Sequence, residues 1–169
     1  MKTLYLHGLE STGLTQKKRA VLEKNLNTKD IDAPVFDYYE KEVENKIWNL
    51  FNDGNYDLII GSSTGSMVAH SLIAQKPTKA ILINPAFSHE IVDKLMPNLT
   101  RSRDVGESSF YVFGELDKTV PRNGTLDYLN VIYLPEDRHL IVKGMEHQIR
   151  PEEMNVIFSD TKIRMFLFK

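Results

Sequence analysis

Along the chain, short dense apolar runs alternate with longer stretches in which apolar residues recur every three or four positions. The runs are TLYLHG (residues 3–8), APVFDY (33–38), DLIIGSS (57–63), KAILINPA (79–86), SFYVFGELD (109–117) and HLIVKGMEH (139–147). They read as six strands. The centre of DLIIGSS is wholly apolar, as in a strand covered on both faces. Between the runs, Leu14, Val21, Leu22 and Leu26 share one face of a helix whose lysines lie outside, with Ser11 or Thr12 expected to cap it. Val43, Ile47, Leu50 and Phe51 mark a second helix, stopped by Asp53, Gly54 and Asn55. TGSMVAHSLIAQK gives a third, opening on small residues and ending before Pro77. The C-terminal PEEMNVIFSDTKIRMFLFK is helical, with Pro151 early in the helix, where a missing N–H costs nothing.

Strands alternating with helices predict an α/β fold, a mainly parallel sheet of about six strands with helices on both faces. Two connections stay open. Residues 87–108 hold a short helical pattern, HEIVDKLM, and a charged segment, RSRDVGE. Residues 121–138 hold a short helix, an extra strand, or both. The chain's 169 residues suit one domain over 1–169 and suffice for a substantial core. A formal net charge of −2 supplies no basic field for nucleic acid or an anionic membrane. With no cysteine there is no disulfide framework, thiolate metal site or cysteine nucleophile. The apolar start MKTLYLHGLE is broken at His7, too early for a signal peptide, and no run approaches the ~20 residues of a membrane span. A cytoplasmic location is expected.

In an open parallel sheet, ligands gather beyond the carboxyl ends of the strands. Ser63 follows the third run, Asp117 the fifth and His147 the sixth, in the chain order Ser, Asp, His of an α/β hydrolase. Gly61-Ser62-Ser63-Thr64-Gly65 is a G-x-S-x-G pattern. A nucleophile on a tight strand-to-helix turn needs small residues two positions away on either side. The pattern alone is common; its placement between an apolar strand and a helix gives it meaning. Among the histidines, His7 ends the first strand, His70 lies about two turns into the third helix, His89 follows the fourth strand and His139 precedes the sixth. Only His147 has both the chain order and the rim position. Among the acids, Glu115 lies nearer its strand and Asp137 precedes the last one, whereas Asp117 sits on a turn from which a carboxylate can reach His147. Thr64, at the start of the third helix, offers one backbone N–H to a developing oxyanion. Leu9, in the loop after the first strand, offers the other. Met67, Phe87, Val120 and Ile149 are candidates for an acyl pocket and equally for ordinary core. The short 87–108 connection leaves little material for a lid, so an open site for small acyl groups is expected.

The blocks LYLHGLEST, GSSTGSMVAH, AILINPA, GELDKTVP and GMEH resemble those of the small bacterial YqiA-like esterases, cap-less α/β hydrolases. LINPA is the most particular to that group. The resemblance implies a Ser63–Asp117–His147 triad, hydrolysis of a small carboxyl-ester or acyl-thioester substrate, and neither metal nor organic cofactor. The family block reads more like G-S-S-L-G-G, so Thr64 and Ser66 are departures that bear on substrate preference. The rival expectation is an α/β-hydrolase fold kept as a catalytically silent binding protein. Nucleotide binding is disfavoured: GSSTGS lacks the lysine of a Walker loop, and no G-x-G-x-x-G occurs. HEIVD lacks the second histidine of a zinc-protease helix.

Overall fold

The computed structural model describes residues 1–87, 94–99 and 107–169. In chain order its elements are β1 (Thr3–Leu6), α1 (Gln16–Leu26), β2 (Ile31–Asp32), α2 (Val43–Gly54), β3 (Leu58–Ser62), α3 (Thr64–Gln75), β4 (Lys79–Ile83), β5 (Ser109–Gly114), α4 (Arg122–Leu129), a 3-10 turn (Glu136–Arg138), β6 (His139–Val142), α5 (Pro151–Ser159) and α6 (Thr161–Phe168). The six strands form one sheet in the order β2-β1-β3-β4-β5-β6, and every pairing is parallel.

Successive side chains of a strand point to opposite faces, and the two cores follow that alternation. Leu4, Leu6, Ile59, Ala80, Leu82, Tyr111 and Phe113 face α2, α3 and α4. Tyr5, Leu58, Ile60, Ile81, Ile83, Phe110 and Val112 face α1, α5 and α6. Helices therefore cover both faces, as the apolar runs require. α3 is buried from Thr64 to Ile73 because it packs against the central strands.

Several expected elements are corrected. The second strand is the two-residue β2, just ahead of APVFDY; residues 33–37 have no regular structure. Pro34 lacks the N–H a ladder needs. The Phe36 N–H is given to the ring of His7, and the Tyr38 hydroxyl to the His7 carbonyl. This segment crosses the end of β1 instead of pairing with it. The α1 cap is Thr15, whose hydroxyl accepts from Lys18 N at 3.4 Å, and neither Ser11 nor Thr12 takes that place. The C-terminal stretch is two helices, α5 and α6, divided at Asp160, whose carboxylate accepts from Lys162 N at 2.8 Å and starts α6. Residues 121–138 hold α4 and the 3-10 turn, and no strand. The patterns expected at residues 88–93 and 100–106, including His89, lie outside the described residues. Strands β1, β4, β5 and β6 end two to five residues before the apolar runs do, and those extra residues form the loops of the site.

Candidate active site

Ser63 joins β3 to α3 with φ 55° and ψ −118°, a backbone conformation a non-glycine residue adopts only when held there. The holding contacts are visible. Ser63 N donates to Ile83 O at 2.9 Å, Ala86 N donates to Ser63 O at 3.3 Å, and Ser66 Oγ donates to Ile83 O at 2.9 Å. The turn is thus pinned to the end of β4. A Cβ on Gly65 would collide with the Leu6 and His7 carbonyls, and one on Gly61 with the backbone of Gly65 and Ser66. The G-x-S-x-G glycines are required by this close packing of β1, β3 and α3.

Three sequence candidates meet here. His147 Nε2 stands 3.0 Å from Ser63 Oγ, and His147 Nδ1 stands 2.8 Å from Asp117 Oδ2. A carboxylate only accepts, so Nδ1 carries the ring proton and Nε2 is left to accept from the serine hydroxyl. Asp117 is fixed in turn. Its Oδ1 accepts from Thr119 N at 2.9 Å and Val120 N at 3.0 Å, and the residue is buried.

The other histidines and acids have different surroundings. His70 is buried in α3, edge-on to Phe87 with ring centroids 4.9 Å apart. His139 bonds the Pro135 carbonyl at the amino end of β6. Glu115 accepts from Gly144 N at 2.9 Å and shapes the loop that leads to His147. Asp137 is exposed and lies 3.8 Å from Arg138.

His7 is buried, and both ring nitrogens are committed. Nε2 accepts from Phe36 N at 2.8 Å, so Nδ1 carries the proton and donates to Gly8 O at 2.6 Å. Burial lowers the His7 pKa from its ordinary value, against the opposing pull of the Gly8 carbonyl. Ser11 N donates to the same carbonyl at 3.2 Å. With Gly8 C=O held by two donors, the N–H of Leu9 on the same trans peptide points the other way. Leu9 lines the cavity of Ser63, and a Cβ on Gly8 would sit 3.1 Å from Ser63 Cβ. Thr64 is buried as the first residue of α3, where its N–H has no carbonyl within the helix to bond.

Asn84 was not among the sequence candidates. It is 1% exposed, with φ 45°, immediately after β4. Its Nδ2 donates to Glu146 O at 3.1 Å and His147 O at 3.2 Å, and its Oδ1 accepts from Gly114 N at 2.7 Å. One side chain therefore ties the ends of β4 and β5 to the loop that carries His147. The sequence signal was an Asn-Pro pair closing an apolar strand inside LINPA, since Asn tolerates a positive φ.

A cavity of about 490 Å³ opens at Ser63 and His147, walled by the Leu9–Gly13 loop, the start of α1 and Gln148–Arg150. Of the four acyl-pocket candidates, Ile149 lines it. Met67 and Phe87 are buried in the core on the α3 side, Phe87 stacked on Tyr128 at 4.6 Å, and Val120 is buried behind Asp117. Tyr5 also reaches the cavity; burial pushes its hydroxyl up to about 12, which leaves it protonated at neutral pH. Among the described residues no cluster of three His, Asp or Glu side chains is placed to hold a metal, and no helix is long and apolar enough to cross a membrane.

A six-stranded parallel sheet, covered on both faces, with a serine on the β3–α3 turn, is the α/β-hydrolase fold. Solved structures share it. Est1E from Butyrivibrio proteoclasticus matches at TM-score 0.66 and 14% identity, over 96% of this chain and 86% of that one. A predicted CIB-like hydrolase from Thermoplasma acidophilum matches at TM-score 0.61 and 17% identity, over 98% and 86%. SOBER1 from Arabidopsis thaliana matches at TM-score 0.61 and 16% identity, over 99% of each chain. At these identities the likeness is one of fold. The chain belongs to the uncharacterised protein family UPF0227, whose model matches residues 2–118, in agreement with the YqiA-like blocks of the sequence. That match includes Ser63 and Asp117 and ends before His147. No curated protein matches the chain.

Proposed function

We propose that the protein is a serine hydrolase that cleaves carboxyl esters or acyl thioesters through an acyl-enzyme on Ser63. The observation that carries this reading is the continuous relay from Ser63 Oγ to His147 to Asp117, at 3.0 and 2.8 Å, on a strained turn that opens into a cavity. His147 Nε2 takes the hydroxyl proton as Oγ bonds to the substrate carbonyl carbon. The carbonyl oxygen becomes an oxyanion and receives the N–H groups of Leu9 and Thr64. As the carbonyl re-forms, the bond to the alcohol or thiol breaks, and His147 gives its proton to that leaving group. Water then attacks the acyl carbon, passing a proton to His147; the acid departs and the proton returns to Ser63. Asp117 holds the ring orientation and stabilises the imidazolium at each stage.

Relatives of the same fold include Est1E and a protein described as a serine hydrolase homologue from Coxiella burnetii, which accords with this chemistry. The test is a panel of aryl esters and acyl thioesters assayed with wild type and Ser63→Ala. We expect turnover of short acyl chains that falls at least about a thousandfold in the variant. Turnover unchanged in the variant would reject Ser63 as the nucleophile, and no turnover in either protein would favour a silent fold.

A further inference from the structure

The wall of the Ser63 cavity is strongly polar for an acyl site. Beside Leu9 and Ile149 it presents Ser11, Thr12, Lys18 and Arg150. A fatty chain there would strip water from these groups and return no hydrogen bonds.

Two of them are cations placed by different helices. Arg150 precedes α5 and is held in a fork: its Nε and Nη2 donate to Glu153 Oε1 at 2.9 and 2.5 Å, while its backbone N donates to Glu153 Oε2 at 2.7 Å. Glu153 is itself buried. Burial works to raise its carboxyl, and the Arg150 bonds together with Lys18 overcome this and hold it below the usual range. Arg150's fork leaves Nη1 without a bond to another described residue. Lys18, in the first turn of α1, is half-buried, and burial lowers its pKa against the opposing attraction of Glu153. Among the described residues its ammonium has no hydrogen-bond or ion-pair partner. Glu153 thus bonds Arg150 directly and attracts Lys18 without contact, while Glu152 and Glu146 draw only on Arg150, so Lys18 is the cation on this wall without a close acid among the described residues. Glu10, the acid among the residues lining the cavity, is exposed and accepts from the hydroxyl of Tyr39 at 3.1 Å. A half-buried ammonium without a close acid and a solvent-facing guanidinium held in one orientation line the same cavity, an arrangement suited to receiving an anion.

Building on the serine-hydrolase reading, we infer that the substrate carries an anionic oxygen group, a carboxylate or a phosphate, which docks on Lys18 and Arg150 while its scissile carbonyl sits at Ser63. Lys18 and Arg150 then act as specificity-determining residues, one as a point charge and the other as a planar fork. This wall selects polar, charged acyl or alcohol portions over fatty ones.

The test compares 4-nitrophenyl hemiglutarate with 4-nitrophenyl pentanoate, an anionic and a neutral ester of equal chain length, in wild type, Lys18→Gln and Arg150→Gln. Inhibition of pentanoate hydrolysis by glutarate and by inorganic phosphate separates the two anion classes and reports docking even where the natural anion lies on the alcohol side. We expect a wild-type preference for the hemiglutarate of about tenfold or more, expressed mainly in KM. We also expect inhibition by at least one anion, and both effects should shrink toward none in either variant. Ser63-dependent hydrolysis of the neutral ester, with neither a preference nor Lys18-dependent inhibition, would overturn this inference and leave the hydrolase reading standing. Absence of Ser63-dependent hydrolysis of either ester and of the acyl thioesters of the panel would overturn both.

Discussion

A side chain that is 1% exposed and bonds three backbone groups across two strand ends cannot be shortened without loss, and Asn84 is such a side chain. Truncation in Asn84→Ala leaves one buried N–H and two carbonyls without it, at about 1–3 kcal/mol for each group that water cannot reach. Because both carbonyls belong to the His147 loop, kcat should fall by about tenfold or more while KM moves little. A steady-state comparison, with thermal melting as a control for folding, checks this; a lowered melting temperature with unchanged kcat would assign Asn84 a purely structural role. His7 makes a pH prediction. Its pKa is lowered in the folded state, so at mildly acidic pH the unfolded chain binds the extra proton and the folded chain does not. The stability tied to neutral His7 is complete above the unfolded value of about 6.5 and is lost as pH falls through the lower folded value. Urea midpoints of wild type should therefore decline below about pH 6.5, and His7→Gln should flatten part of that decline. A decline of the same slope in both proteins would place the acid sensitivity elsewhere.

At the scale of elements, what was legible in the sequence divides by whether its cause is local. α2 ends at Gly54, as read, because the apolar period and the left-handed Asn55 cap are properties of that stretch alone. β2 was misplaced because its pairing is only two residues long, Thr3 with Ile31 and Leu4 with Asp32, and is imposed by β1. APVFDY looks more like a strand than ID does, but His7 claims its donors. The α1 cap was expected three or four residues early, at Thr12 or Ser11, because several hydroxyls stood ahead of the helix and only geometry selects Thr15. Thr15 also stands in the cavity wall, one turn from Lys18. Thr15→Ala should cost about 1 kcal/mol of stability, measured by urea unfolding. An unchanged midpoint would show that this cap is not a stabilising bond.

At the scale of the molecule, the strand order explains why Ser63, Asp117 and His147 meet. β3, β5 and β6 lie on the same side of β1 and run parallel, so the residues that follow them share one edge of the sheet. Ser63, Asp117 and His147 could be placed on one rim because each ends an apolar run; the bonds of Asn84 to Gly114 and of His7 to Phe36 could not be read, because those partners lie 30 and 29 residues away. The cavity's cations were equally hidden, since α1 and α5 meet only after folding. A site assembled from three strands of one sheet should survive or fail with that sheet. The proposed hydrolase activity and far-UV circular dichroism should be lost in a single coincident urea transition. Activity that vanishes well before the sheet melts would show that the His147 loop opens independently.

The central claim is that Ser63 is a nucleophile activated by His147. Peptide mass spectrometry after treatment with a fluorophosphonate probe reads this directly. The account predicts one adduct, on Ser63, absent in Ser63→Ala and slowed at least about a hundredfold in His147→Ala. No adduct on the folded wild type, or one at the same rate without His147, would contradict it.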